Sequence, residues 1–122
     1  MLNFNSTLLF SENPKKLADF YQKVFQKGPE MAEHDYYGFS VGKGFFTIGP
    51  HSKIHGKNPQ PERVLFNFET QDVKGEFERI KNLGADVIAK PYNPDEAHDM
   101  WIATFGDPDG NYFQLMSPWQ EK

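Results

Sequence analysis

A pattern of strand, helix and three further strands occurs twice along these 122 residues, and it constrains the fold more than any other feature. The first copy opens with Leu2 to Phe10, where Phe4, Leu8 and Phe10 recur at the period of two that a half-buried strand needs. Asn13 can cap a helix, and Pro14 sits at its first position, where a missing N–H costs nothing. Leu17, Phe20, Tyr21, Val24 and Phe25 then form one apolar stripe at helical spacing, which Gly28 and Pro29 close. Strands are expected over 30–34, 36–41 and 45–48, with turns at Asp35 and at Gly42-Lys43-Gly44. After a polar stretch containing Pro50, Gly56, Pro59 and Pro61 the pattern restarts.

The second copy begins with a strand over 63–70, in which Val64, Leu65, Phe66 and Phe68 are apolar. Asp72 caps a helix with the stripe Val73, Phe77, Ile80 and Leu83, and Gly84 ends it. Strands follow over 86–90, 100–104 and 112–116, the last two joined by Asp107-Pro108-Asp109-Gly110, a sequence suited to a type I turn. A repeat of roughly sixty residues is too long for a solenoid and reads as a duplicated module. The expected fold is one α+β domain over 1–122. It has two βαβββ modules (1–49 and 63–118, linked by 50–62) whose curved mixed sheet surrounds a cavity.

The absence of cysteine excludes a disulfide framework, a zinc ribbon and a thiol nucleophile. A net charge of −4, with Lys15, Lys16 and Lys23 interleaved with acids, argues against nucleic acid as a partner. No basic region followed by a long apolar run opens the chain, and no apolar stretch approaches the ~20 residues that span a bilayer. The expectation is a cytoplasmic protein without a membrane partner. Twelve Phe, five Tyr and two Trp exceed what the core alone needs, so some are expected to line a pocket.

Three segments carry a resemblance. They are Asn13 to Phe25 with its Phe20-Tyr21 pair, Asp72 to Val87, and Phe105-Gly106-Asp107-Pro108-Asp109-Gly110-Asn111-Tyr112-Phe113-Gln114-Leu115. In this order and spacing the chain resembles the glyoxalase/bleomycin-resistance/extradiol-dioxygenase superfamily, the vicinal oxygen chelate proteins. The resemblance implies that helices pack outside a sheet curled around a cavity. It further implies that in metal-using members four inward strand positions supply His, Glu or Gln ligands. Those positions fall here on Ser6, Thr47, Leu65 and Gln114. Leu65 has no lone pair, and a divalent ion needs several imidazole or carboxylate partners, so no metal and no cofactor are expected. The resemblance also implies a homodimer.

Other ligand sets fare no better. His51 and His55 stand at i, i+4, but Pro50 and Gly56 argue against the helix that would bring both to one ion. Asp107-x-Asp109-Gly110 is similar to the start of a calcium loop, yet Pro118 stands where the bidentate Glu is required. His34 reads as a surface residue. His98 lies among Asp95, Glu96 and Asp99, carboxylates that favour the imidazolium.

Strand parity adds detail. If Phe66 and Phe68 pack on the second helix, Leu65, Asn67 and Glu69 face the cavity, and Tyr112, Gln114 and Met116 join them. Trp101 is expected to face the cavity beside Gln114, with Met100 and Ile102 serving the apolar side. The leading reading is a metal-independent small-molecule binding protein whose ligand is planar, aromatic or cationic. Its ligand-binding residues are Gln114, Trp101, Glu69, Asn67, Tyr112, Phe39, Phe46, Tyr92 and His98. The 95–99 loop would close over the site. One alternative is a glyoxalase- or lyase-type enzyme in which Gln114 with His98 or Glu69 carries acid–base work. Another is a structural or regulatory domain with a vestigial pocket.

Overall fold

A computed structural model describes residues 1–94 and 99–118 and divides the chain into two compact units, Met1–Gly56 and Lys57–Lys122. The first holds β1 (Ser6–Ser11), α1 (Pro14–Phe25), β2 (Met31–Glu33), β3 (Tyr36–Val41) and β4 (Gly44–Pro50). The second, after a 3-10 turn at Pro61–Arg63, holds β5 (Leu65–Glu69), α2 (Val73–Asn82), β6 (Asp86–Tyr92), β7 (Ile102–Gly106) and β8 (Tyr112–Met116). The sheet orders are β1-β4-β3-β2 and β5-β8-β7-β6. In each, the first strand runs parallel to the last and the other neighbours are antiparallel. Both units therefore share one βαβββ topology, as the repeat in the sequence requires.

Local signals explain the helices. The Asn13 carboxamide accepts the Lys16 N–H, and the Asp72 carboxylate accepts the Gly75 N–H, so each helix begins with one of its orphan donors satisfied. One face of each helix is then buried. Leu17, Tyr21 and Val24 belong to the first core, and Val73, Phe77 and Ile80 to the second. Tyr21 lies 5.0 Å from Phe46, and Phe25 lies 5.3 Å from Phe39, ring centre to ring centre. In the second unit Phe77 stacks on Phe105 at 5.2 Å, and Phe105 on Phe113 at 5.5 Å.

Several boundaries differ from expectation. Strand β1 begins at Ser6, because Ser6 already pairs with Phe45 and β4 starts only one residue earlier, so among the described residues Leu2 and Phe4 have no strand beside them. Phe4 is 90% exposed instead of facing a core. Helix α1 stops at Phe25 with Gln26 in the left-handed region (φ 58°), ahead of Gly28. Strand β4 continues through Pro50, paired with Ser11, which shortens the linker. Leu83 caps α2 and is 40% exposed, so it leaves the apolar stripe. Strand β7 starts at Ile102 rather than Met100, because its pairing with β8 begins opposite Met116. Its hairpin closes as the sequence suggests, with the Gly110 N–H donating to the Asp107 carbonyl at 2.9 Å.

Candidate functional site

Each sheet has one face covered by its own helix and one turned away from it. On the second sheet the α2 side is apolar: Phe66, Phe68, Ala103, Phe105, Phe113 and Leu115. The opposite, α2-distal face is mixed. Its rows follow from the register: Leu65, Tyr112 and Gly106; then Asn67, Gln114 and Thr104; then Glu69, Met116 and Ile102, with Tyr92 beside Ile102. The strands thus put Asn67, Glu69, Tyr112 and Gln114 on the helix-distal side that their alternation suggests, with Tyr92 on the same side. The middle row is polar throughout. Gln114 Nε2 donates to Thr104 Oγ1 at 3.2 Å, and Thr104 is buried while Gln114 is half-buried and Asn67 exposed.

Three expected residues lie elsewhere. Trp101 has the parity of Ala103 and Phe105 and is therefore on the α2 side, with Lys74 Nζ 3.9 Å above its indole. It does not share a face with Gln114. Ile102, assigned to the apolar side from sequence, takes the distal position opposite Met116. Phe39 and Phe46 are buried on the α1 side of the first sheet among Tyr21 and Phe25, so they serve the core. The reason is pairing: Phe39, Phe46 and Thr7 fall in one row, and that row faces the helix. His98, and the loop positions 95–98 proposed to close over a ligand, lie outside the described residues.

The sequence reading missed the aromatic residues of the α1-distal face. Phe10, Tyr36 and Phe45 have the opposite parity to Phe46. Tyr36 lies across Gly49, where an added Cβ would stand 2.4 Å from the ring, and Phe45 lies across Gly38 at 2.6 Å. Both glycines are places where a ring takes the space of a missing side chain. Gly49 stands opposite Tyr36, whereas Phe45 reaches Gly38 diagonally from its own partner Ser40.

The sequence profile of the Glyoxalase-like domain matches residues 7–116. The chain belongs to that family. No curated protein matches it significantly in sequence. Solved structures similar to this glyoxalase-like domain include TioX from a Micromonospora species (TM-score 0.75, 13% identity, covering 94% of this chain and 98% of that one). A glyoxalase/bleomycin resistance protein from Albidiferax ferrireducens gives 0.74 and 18%, covering 94% and 98%. The fosfomycin resistance protein FosX from Listeria monocytogenes gives 0.73 and 19%, covering 98% and 95%. At these identities the likeness concerns fold alone.

The metal-ligand positions that the superfamily resemblance assigned to this glyoxalase-like domain lie on the helix-distal faces, Ser6 and Thr47 in the first unit and Leu65 and Gln114 in the second. Their chemistry does not fit a divalent ion: two hydroxyls, one amide and one hydrocarbon supply neither imidazole nor carboxylate. Elsewhere in the first unit an open groove of about 380 Å³ is lined by Ser11, Glu12, His51, Ile54 and His55, among others. There Glu12 accepts from the Gly56 N–H at 3.1 Å and lies 3.3 Å from His55 Nδ1; the first contact, then the second, holds its carboxyl below the usual range. His51 Nδ1 accepts the Lys53 N–H at 3.1 Å, so a neutral His51 carries its proton on Nε2 and has no lone pair there for a metal. Among the described residues no group of three or more His, Cys, Asp or Glu could hold a metal ion. Nor, among those residues, is any helix long and apolar enough to cross a membrane.

Proposed function

We propose that this glyoxalase-like domain binds a small molecule without a metal, on the α2-distal face of its second sheet. The observation that carries the reading is the row Asn67, Gln114 and Thr104 in the middle of that face. A sheet that only needed to shed water there would place apolar side chains at mid-strand, because an unpaired amide near a packed surface is costly. Gln114 uses one N–H on Thr104, and its Oε1 has no partner among the described residues. Asn67, opposite it, makes no side-chain hydrogen bond among them either. Two amides and a hydroxyl offer donors and acceptors in one line. That suits the edge of a planar ligand with both a carbonyl and an N–H.

The flanking rows set the rest. Leu65 and Tyr112 on one side, and Met116 and Ile102 on the other, can cover the apolar faces of such a ring system. Glu69 at the end of the face favours a positively charged substituent, in keeping with the chain's net charge of −4. The unsuitability of Ser6, Thr47, Leu65 and Gln114 as a ligand set supports recognition by hydrogen bonds instead of coordination.

Thermal-shift titration with planar cationic heteroaromatics (acridinium and quinolinium salts) beside their sulfonated anionic counterparts tests this. Binding to the native state raises the melting temperature. Some cationic compounds should raise it, and Gln114→Ala should weaken them about tenfold, the loss of one good hydrogen bond. A wild-type protein that no compound stabilises, or a Gln114→Ala variant that binds equally well, would refute the reading. So would near-stoichiometric transition metal that is lost in Gln114→Ala.

A further inference from the structure

His51 and His55, the histidines spaced i, i+4, both line the open groove of the first unit and take no part in the face proposed above. A short turn positions them. The Ile54 N–H donates to the His51 carbonyl at 3.1 Å, and the Lys53 N–H donates to His51 Nδ1 at the same distance. The Phe10 and His51 rings meet edge to face, with 4.9 Å between their centres. Beyond the turn Gly56 adopts a left-handed φ of 67°, and its N–H donates to Glu12 Oε1 at 3.1 Å. The other carboxylate oxygen, Oε2, lies 3.3 Å from His55 Nδ1.

These contacts set the two imidazoles in opposite tautomers. His51 Nδ1 accepts a hydrogen bond, so the proton of the neutral ring is on Nε2. His55 Nδ1 faces a carboxylate, which only accepts, so that ring carries its proton on Nδ1. A neutral His55 then has a lone pair on Nε2. Neither Nε2 has a partner among the described residues. One groove thus holds an imidazole donor and an imidazole acceptor, each with its other nitrogen already tied.

We propose that this groove is a second binding site, for a neutral amide or lactam. The ligand's carbonyl accepts from His51 Nε2, and its N–H donates to His55 Nε2. Charge and lone pairs select that chemistry. A carboxylate or phosphate meets the Glu12 charge and the His55 lone pair, both repulsive. A divalent ion finds no lone pair on His51. Pro50 and Ile54, the latter 38% exposed, give an apolar wall for the ring of such a compound. The volume of about 380 Å³ lies within the range of small-molecule sites. Because the turn and Glu12 already orient both rings, little side-chain freedom is lost on binding.

NMR of the full chain at about pH 8, where a free imidazole is neutral, tests both halves of the proposal. Imidazole nitrogen shifts should report a protonated Nε2 on His51 and a protonated Nδ1 on His55. The reverse tautomer on either ring overturns the proposal. Quinolin-2(1H)-one is the probe, and it should move both Nε2 resonances. Its N-methyl derivative keeps the carbonyl but lacks the N–H, and should bind about tenfold more weakly, the loss of one good hydrogen bond. Glu12→Gln frees His55 to take up the other tautomer, so it should remove most of that difference between the two compounds. Equal binding of lactam and N-methyl lactam to the wild type, or no binding of either, overturns the site. Shifts at the Gln114 side chain with none at His51 or His55 also overturn it, and leave the function proposed above standing.

Discussion

Gln114 and Thr104 stand directly opposite on antiparallel neighbours, and the amide N–H of the first donates to the hydroxyl of the second at 3.2 Å. The bond fixes the amide's rotation and so decides which of its atoms face away from the sheet. Thr104→Val keeps the shape and removes the acceptor. Its expected effect is a stability loss of at most about 1 kcal/mol in urea unfolding, since the amide can turn to water. Binding of any ligand that Gln114→Ala weakens should fall several-fold in Thr104→Val as well, measured by calorimetric titration.

Gly49 and Tyr36 give a sharper test of packing. Gly49 is not in the left-handed region, so Ala is acceptable to the backbone, but its Cβ would sit 2.4 Å from the Tyr36 ring. Gly49→Ala should therefore cost about 1–3 kcal/mol, the usual range for overpacking. In a Tyr36→Ala background the same change should cost much less, because the clash is gone. Additive losses in urea unfolding of the two single and the double variant would refute the contact.

Gln26 should respond in the opposite direction. Its φ of 58° is a conformation that costs an L-residue roughly 1–2 kcal/mol and glycine little. Part of that gain is offset by the larger entropy glycine has when unfolded. Gln26→Gly is expected to stabilise by about 0.5–1 kcal/mol, visible as a higher urea midpoint with an unchanged slope.

Acid sensitivity follows from Glu30. Its carboxylate lies 2.6 Å from Lys27 Nζ and accepts the Ser40 N–H at 2.7 Å, and these two contacts, the lysine first, lower its pKa. A carboxyl depressed on folding contributes fully above the unfolded value of about 4.3 and less as the pH falls through and below it. Unfolding midpoints should therefore decline below about pH 5, and Glu30→Gln should flatten part of that decline. An identical pH profile for the variant would remove Glu30 from the account.

The sequence was most informative where the deciding contacts are local. Asn13 and Asp72 cap their helices from three residues away, and β8 spans 112–116 as its alternation suggests. Parity failed where a distant strand sets the register. Phe45 and Phe46 are adjacent and identical, so nothing between them says which faces α1; the parallel pairing of Thr7 with Phe46 does. Trp101 shows the same sensitivity. Its orientation follows from Ile102 opposing Met116, a pairing whose one-residue shift would turn the indole over. Gln114 and Asn67 were legible because polar residues alternating with Phe and Leu state their own face.

Alternation along β5 and β8 also has an evolutionary consequence. Phe66, Phe68, Phe113 and Leu115 lie on the helix side, the last two fully in the core, whereas Asn67 and Glu69, on the intervening positions, are exposed. Substitutions at exposed positions of this kind usually change stability by less than about 0.5 kcal/mol. Selection can therefore rewrite these exposed residues one at a time while the neighbours that hold the sheet stay fixed. A lineage built this way can change the chemistry of that face without passing through an unfolded intermediate sequence.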